Sequence, residues 1–207
     1  MKKVLSSQAS PDPKLVEINE KMIKMVQRIT HIISSMKTLA RDGSRDQYEP
    51  VDLNEIVNDT LGVSYEKFKS KGVNIVFEPS HAGYFVNCRK TEISQVLVNL
   101  LNNAFDVVRD DAEPWVKISF TESESSNVKI LVSNSGPKIS SELHQKIMQP
   151  FFTTKKVGEG TGLGLSISKT IIENHQGEFY LQDETEYTTF VIELPLFNKA
   201  EISKFAS

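Results

Sequence analysis

The run from Pro150 to Lys169, PFFTTKKVGEGTGLGLSISK, sets Gly158, Gly160, Gly162 and Gly164 at alternate positions and then continues as an apolar helical pattern. Glycine lacks a Cβ, so its backbone reaches φ > 0 and comes close to a ligand, and the N–H groups in the first turn of a following helix point at anions. Thr161, Lys155 and Lys156 add donors and positive charge. The run therefore reads as a phosphate loop, and its spacing excludes two common kinds: neither G-x-x-x-x-G-K-S/T nor the dinucleotide G-x-G-x-x-G is present. A flexible linker is the plain alternative, but linkers do not normally interleave residues such as Leu163, Leu165 and Ile167 with their glycines.

A chain of 207 residues with 39% hydrophobic content can bury one good core and a small accessory element. The formal charge of −3 leaves no basic excess for neutralising many phosphates, so no nucleic-acid partner is expected. Cys88 is the single cysteine and cannot form an internal disulfide. No apolar run is long enough to span a bilayer, and no apolar signal region follows Met1-Lys2-Lys3. The expected location is cytoplasmic, with tethering to a membrane through upstream sequence left open.

Residues 6–14, SSQASPDPK, form a polar lead. From Leu15 to Arg41 neither Pro nor Gly interrupts, and Ile18, Met22, Met25, Ile29, Ile32, Met36 and Leu39 follow a 4-3-4-3-4-3 spacing, the heptad seam of one long helix. One helix cannot bury such a seam alone, so it needs a partner helix from another chain or from sequence beyond these residues, and a homodimer through the 15–41 helix is expected. Asp42 to Val51 reads as a charged linker, after which Asp52 and Glu55 form a capping box. The helix it opens carries Leu53, Ile56, Val57, Thr60, Leu61 and Ser64 on one face and ends near Gly72. Val73–Phe77 and Tyr84–Val86 read as strands joined through His81 and Gly83.

The helix predicted over Thr91–Val108 has Ile93, Val96, Leu97, Leu100, Ala104 and Val107 on an apolar face, with Glu92, Gln95, Asn99, Asn102, Asn103 and Asp106 on another. Asn99 and Asn103 are four apart, one turn above the other. An asparagine oxygen is a neutral, hard ligand suited to Mg²⁺, which takes its other oxygens from water and nucleotide phosphates, and Asn103 is the candidate. A solvated polar face is the alternative for such a pair, and the phosphate loop downstream weighs against it. Val116–Phe120 and Val128–Val132 alternate as a hairpin leading into a turn at 133–139. A short helix over 140–148, a helix over 161–175 closed by Gly177, strands at Phe179–Leu181 and Thr188–Leu194, and a loose tail from Asn198 complete the chain.

Taken together, these stretches resemble the catalytic domain of histidine kinases and the related ATPases of the gyrase, Hsp90 and MutL group. The glycine run resembles the ATP lid and second glycine box, and Pro150–Lys155 the phenylalanine box before it. Asn99-Leu100-Leu101-Asn102-Asn103-Ala104 resembles the N-box, whose final Asn binds magnesium. Residues 133–139 resemble the first glycine box, D-x-G-x-G: Asn134 stands at the aspartate that accepts from the adenine amino group, Gly136 is retained, and Lys138 replaces the second glycine. Tyr187-Thr188-Thr189-Phe190 stands where the family often has G-T-x-F.

The resemblance implies a two-layer α/β sandwich of the Bergerat type, a mixed sheet with helices on one face, over residues 46–198. A long dimerisation helix in a partial segment 1–45 precedes it and a tail 199–207 follows. It implies the ATP-binding catalytic region of a two-component sensor histidine kinase, moving the γ-phosphoryl group to a histidine outside this chain and thence to an aspartate of a response-regulator receiver domain. The implied ATP site comprises Asn99, Asn103, Asn134, Gly136, Thr153, Thr154, Lys155, Gly160, Thr161, Gly162, Leu163, Gly164, Leu165 and Thr188. Asn103 would hold Mg²⁺, and Asn99 and Lys155 would have catalytic roles.

None of His31, His81, His144 and His175 stands in the family's acceptor setting, H-E/D-x-x-x-P. His31 reads as a flank of the heptad helix, His175 as structural, and His81 and His144 as having no constellation around them. The 26–41 segment resembles the second helix of the dimerisation hairpin, so the acceptor helix is expected upstream of Met1. Asn134 can still accept from adenine, with ATP expected to bind more tightly than GTP but with looser discrimination than an aspartate gives. Two other readings stay open: a non-catalytic phosphotransfer or scaffold protein with a degenerate nucleotide site, favoured by Asn134 and Lys138, and a stand-alone ATPase or serine kinase of the same superfamily.

Overall fold

Asp52 opens the folded part of the chain, its carboxylate accepting the Asn54 N–H at 2.9 Å and so capping α1 (Leu53–Lys69). Glu55 does not close the expected capping box; it pairs with Lys90. The computed structural model describes residues 14–19, 22–23, 25–26, 29, 47–81, 83–123, 126–155, 160–183 and 185–197. Ile32, Met36 and Leu39 of the seam, His31, Lys156 and Gly158 of the glycine run, and the tail lie outside the described residues. Residues 14–19 are helical, and the seam positions Ile18, Met22, Met25 and Ile29 are all exposed.

The main sheet has five strands in the order β2 (Asn74–Phe77), β4 (Trp115–Glu122), β5 (Asn127–Asn134), β7 (Thr188–Pro195) and β6 (Glu178–Leu181). β2 pairs β4 in parallel and every other pair is antiparallel, so the sheet is mixed. Parallel neighbours need a long crossover. Here that connection contains β3 (Phe85–Cys88) and α2 (Lys90–Val108), and α2 packs beside α1 and α4 (Gly164–Asn174) as a helical layer on the sheet. Between the layers Leu53, Ile56, Ile93, Leu97, Ile118, Ile130, Ile171 and Ile192 are fully buried. Their positions follow the helical and strand periods read from the sequence.

Four further expectations need correction. Residues expected to be linker form β1 (Glu49–Asp52), which pairs β3 antiparallel and turns Val51 into the core. A strand of four residues with one buried side chain leaves no alternating pattern to find. Val107 is 48% exposed, whereas Leu101, Phe105 and Val108 are buried. α2 lies between α1 and α4, so its buried arc is wider than one stripe, and the Phe105 ring meets Phe68 at 5.0 Å. The helix after the glycine run starts at Gly164 rather than Thr161, because Gly162 holds φ at +68°. The helix expected over 140–148 is α3 (Ser141–His144), with turns beyond it.

His175 is structural, as expected. Its Nδ1–H donates to the Ile171 carbonyl at 2.7 Å and its Nε2 accepts the Arg89 N–H at 3.1 Å, which fixes the neutral tautomer. Burial depresses its basicity. With the native pKa below the unfolded value, the unfolded chain takes up the proton first as pH falls. Stability is therefore complete above about pH 6.5 and declines below it, by at most about 1.4 kcal/mol per pH unit from this group. Denaturant titrations between pH 7.5 and 5.5 should give a steeper loss for the wild type than for His175→Gln; parallel slopes would refute the assignment. Cys88 is buried and its thiol is pushed up to about 12, which makes it a poor nucleophile.

Candidate functional site

The polar side of α2 is the spine of the site. Asn99 donates through Nδ2 to Ser168 Oγ of α4 at 2.9 Å, and its Oδ1 lies where a Cβ on Gly164 would come within 2.2 Å. The glycine at the start of α4 is what lets this amide approach the helix. One turn further along α2, Asn103 Oδ1 accepts from Lys155 Nζ at 3.3 Å, while the same ammonium meets Asp106 Oδ2 at 2.6 Å. Asn103 and Asp106 thus present adjacent oxygens to one cation. Asn102 points elsewhere and accepts from Lys67 of α1.

Lys155 is carried by the segment that joins the phenylalanines to the glycines. The Phe151 N–H donates to the Gly162 carbonyl at 2.9 Å, joining the two motifs backbone to backbone. Phe151 itself has φ of +67° and turns its ring outward, 69% exposed. Thr153 and Thr154 are exposed, and Thr153 Oγ1 accepts the Lys155 N–H. Thr161 Oγ1 accepts the Leu163 N–H at 3.4 Å, ahead of α4. Leu163 is buried in the core and Leu165 packs partly against it, so the lipophilic half of the run anchors the polar half. Gly160 fits closely over Thr153 and Lys155.

The far wall is the end of β5. Asn134 is 3% exposed, and its Oδ1 accepts the Gly136 N–H at 2.9 Å. A Cβ on Gly136 would come within 2.3 Å of Val107 Cγ1, so this loop packs directly on α2. Thr188 faces Asn134 across the β5–β7 ladder and donates its hydroxyl to the Pro137 carbonyl at 2.8 Å. Lys138, in place of a glycine, donates to the Asp183 carbonyl. His144, which the sequence left without partners, lies 2.9 Å from Asp183 Oδ1 through Nδ1 and 3.0 Å from the Ile139 carbonyl through Nε2.

Sequence-selected residues thus meet α2 at three points: Asn99 with Gly164, Asn103 with Lys155, and Gly136 with its neighbours Asn134 and Thr188 against Val107; Thr153, Thr154, Gly160, Thr161, Gly162, Leu163 and Leu165 line the segment that carries Lys155 and leads into α4. Three contributors were missed. Ser168 and Val107 carry no motif signal, but Asp106, three residues after Asn103, was already legible as lying on the same polar face. Among the described residues no group of three or more His, Cys, Asp or Glu is placed to hold a metal ion. No described helix is long and apolar enough to cross a membrane.

A family model described as histidine kinase-, DNA gyrase B- and HSP90-like ATPase matches residues 88–198, from the end of β3 past β7. The chain belongs to this ATPase family. Within it, the signal transduction histidine-protein kinase AtoS of Escherichia coli (strain K12) is 30% identical over 190 residues, covering 91% of this chain and 30% of that protein. The chain spans about a third of the length of the curated relatives it matches. The nucleotide-free catalytic domain of histidine kinase ThkA is 35% identical with a TM-score of 0.64, over 72% of this chain and 95% of that one. ThkA in complex with the response regulator TrrA matches at 26% identity and a TM-score of 0.71, over 93% of this chain and 53% of that one. The chain is accordingly an ATP-binding catalytic region of the sensor histidine kinase type, with the mixed-sheet sandwich of that ATPase family.

Proposed function

We propose that this chain binds ATP with Mg²⁺ between the polar side of α2 and the 150–163 segment, and that it transfers the γ-phosphoryl group to a histidine on another segment, from which a receiver-domain aspartate takes it. The observation that carries this reading is the cluster of Asn103, Asp106 and Lys155, two oxygens and an ammonium beside a glycine-rich lid. Asn103 offers one neutral oxygen to a metal whose remaining ligands are water and phosphate, which fits a cation that arrives with nucleotide. A bound Mg²⁺ would supply neutralisation of phosphate charge in a reaction that needs mostly positioning.

In this reading Asn103 holds the metal and Asn99, kept in place by Ser168, lies beside the phosphates. The N–H groups around Gly160, Thr161, Gly162 and Gly164 take the phosphate oxygens, and Lys155 leaves Asp106 to neutralise charge. Leu163 and Leu165 seat the lid, Thr153 and Thr154 flank it, and Asn134, Gly136 and Thr188 form the base subsite. The exposed apolar stripe of Ile18, Met22, Met25 and Ile29 supports pairing with a second copy through the 15–41 segment. A receiver-domain partner is supported by the ThkA–TrrA complex, and a cytoplasmic location by a substrate that is ATP.

Calorimetric titration with Mg-ATP tests the reading. The wild type should bind, and Asn103→Ala should lose about tenfold or more in affinity, the worth of one hydrogen bond to a charged group. Its thermal stability should be unchanged, because Ala favours helix at a half-buried position. Equal affinity in the variant would remove Asn103 from the metal site, and absence of wild-type binding would favour a scaffold.

A further inference from the structure

The donors and acceptors at the end of β5 are set by the protein before any base arrives. Gly136 N–H can only donate, so the atom of Asn134 that meets it at 2.9 Å is Oδ1, and Nδ2 is the group left over. Turning the amide over would set two donors against each other. Gly136 lies close on α2, where an added Cβ would fall 2.3 Å from Val107 Cγ1. Nδ2 has no hydrogen-bond partner among the described residues, and no buried side-chain nitrogen or oxygen is left unsatisfied, so this NH₂ keeps contact with solvent. Across the ladder, Thr188 uses its one hydroxyl proton on the Pro137 carbonyl at 2.8 Å and keeps only lone pairs.

The leftover pair is thus one donor on Asn134 and one acceptor on Thr188. Adenine presents an amino donor at C6 and an acceptor at N1, whereas hypoxanthine and guanine present an oxygen at C6 and an N1–H. The second pattern complements the pair, and the first opposes it. An aspartate would answer Gly136 with one oxygen and keep the other for an amino group. We propose that Asn134 turns the base subsite of this chain toward 6-oxopurines, so that inosine and guanine nucleotides bind at least as well as ATP. This rests on the reading of Asn134 as part of the base subsite, and it reverses the order of ATP and GTP expected from the sequence alone.

The test is a competition titration of the full chain, in Mg²⁺, with ATP, ITP, GTP and the triphosphate of unsubstituted purine riboside. ITP isolates the 6-position, because it lacks the 2-amino group of GTP. The wild type should bind ITP as tightly as ATP or up to roughly fivefold more tightly, the worth of one neutral hydrogen bond. The unsubstituted purine, which lacks the opposing amino group, should bind no more weakly than ATP. Asn134→Asp should swing the ratio toward ATP by about tenfold or more. A wild type that binds ATP measurably more tightly than ITP overturns the proposal and leaves the nucleotide site standing. So does an Asn134→Asp protein with the wild-type ratio. Failure of every triphosphate to bind overturns the nucleotide site and this proposal together.

Discussion

Replacing Gly162 by alanine is expected to lower Mg-nucleotide affinity by a hundredfold or more while shifting the melting temperature of the domain little. The sequence valued this glycine for its approach to phosphate; the structure gives a stronger reason. A Cβ at Gly162 would come within 2.4 Å of the Phe151 carbonyl carbon and 2.7 Å of both its oxygen and the Phe152 nitrogen, all of them backbone atoms. The residue also sits at φ +68°, which costs an L side chain on the order of 1 kcal/mol by itself. Phe151 cannot yield, because its own φ is +67° and its N–H is bonded to Gly162. The contact must open, and the lid with it, so the backbone donors and Lys155 lose their placement together. Gly160→Ala is the control, since its Cβ would meet only side-chain atoms of Thr153 and Lys155, and it should cost several-fold at most. Titrations that put Gly162→Ala within threefold of wild type would show that the Phe151–Gly162 contact does not shape the site.

The largest effect on stability is expected at Gly177, in the turn between α4 and β6. An added Cβ would fall 2.2 Å from the Glu193 carbonyl oxygen in β7 and 2.9 Å from both Ile172 Cγ2 and Leu194 Cδ2. Its N–H donates to the Ile172 carbonyl at 3.0 Å, so the turn cannot swing away without breaking the end of the helix. Overpacking against backbone in a closed core should cost Gly177→Ala about 3 kcal/mol, or a melting temperature lower by roughly 6–12 °C for a domain of this size. Gly62 is the matched control. It lies inside α1 with nothing within 4 Å of an added Cβ, so Gly62→Ala should stabilise by about 0.5–1 kcal/mol. Calorimetric melts of the two variants should move in opposite directions, and an unchanged melting point for Gly177→Ala would refute the packing described.

Periodicity made much of the fold legible before any coordinates. β4 and β5 alternate as written, with Val116, Ile118, Val128, Ile130 and Val132 buried, and the crossover helix runs almost to the residue expected. What escaped notice depended on neighbours rather than on local pattern. β1 exists because β3 is there to pair with it, and Val107 is outward because α1 and α4 flank α2. At the candidate site the motifs named the positions but not the bonds between them. Nothing local indicated that Asp106 would hold Lys155, that Ser168 would hold Asn99, or that Gly136 would fix the orientation of the Asn134 amide.

The bonds that shape the site join parts of the chain that are far apart in sequence. Asn99 and Ser168 are 69 positions apart in the chain, Lys155 lies 52 from Asn103 and 49 from Asp106, and Thr188 reaches back 51 to Pro137. Closing loops of such span costs chain entropy before the contacts return any energy. The helix that carries Asn99 and Asn103 is itself part of the crossover that permits β2 to join β4 in parallel. A fragment ending before β7 lacks Thr188 and a strand that β5 pairs with. A ligand held at the site would add, by mass action, to the stability of molecules in which these contacts are formed.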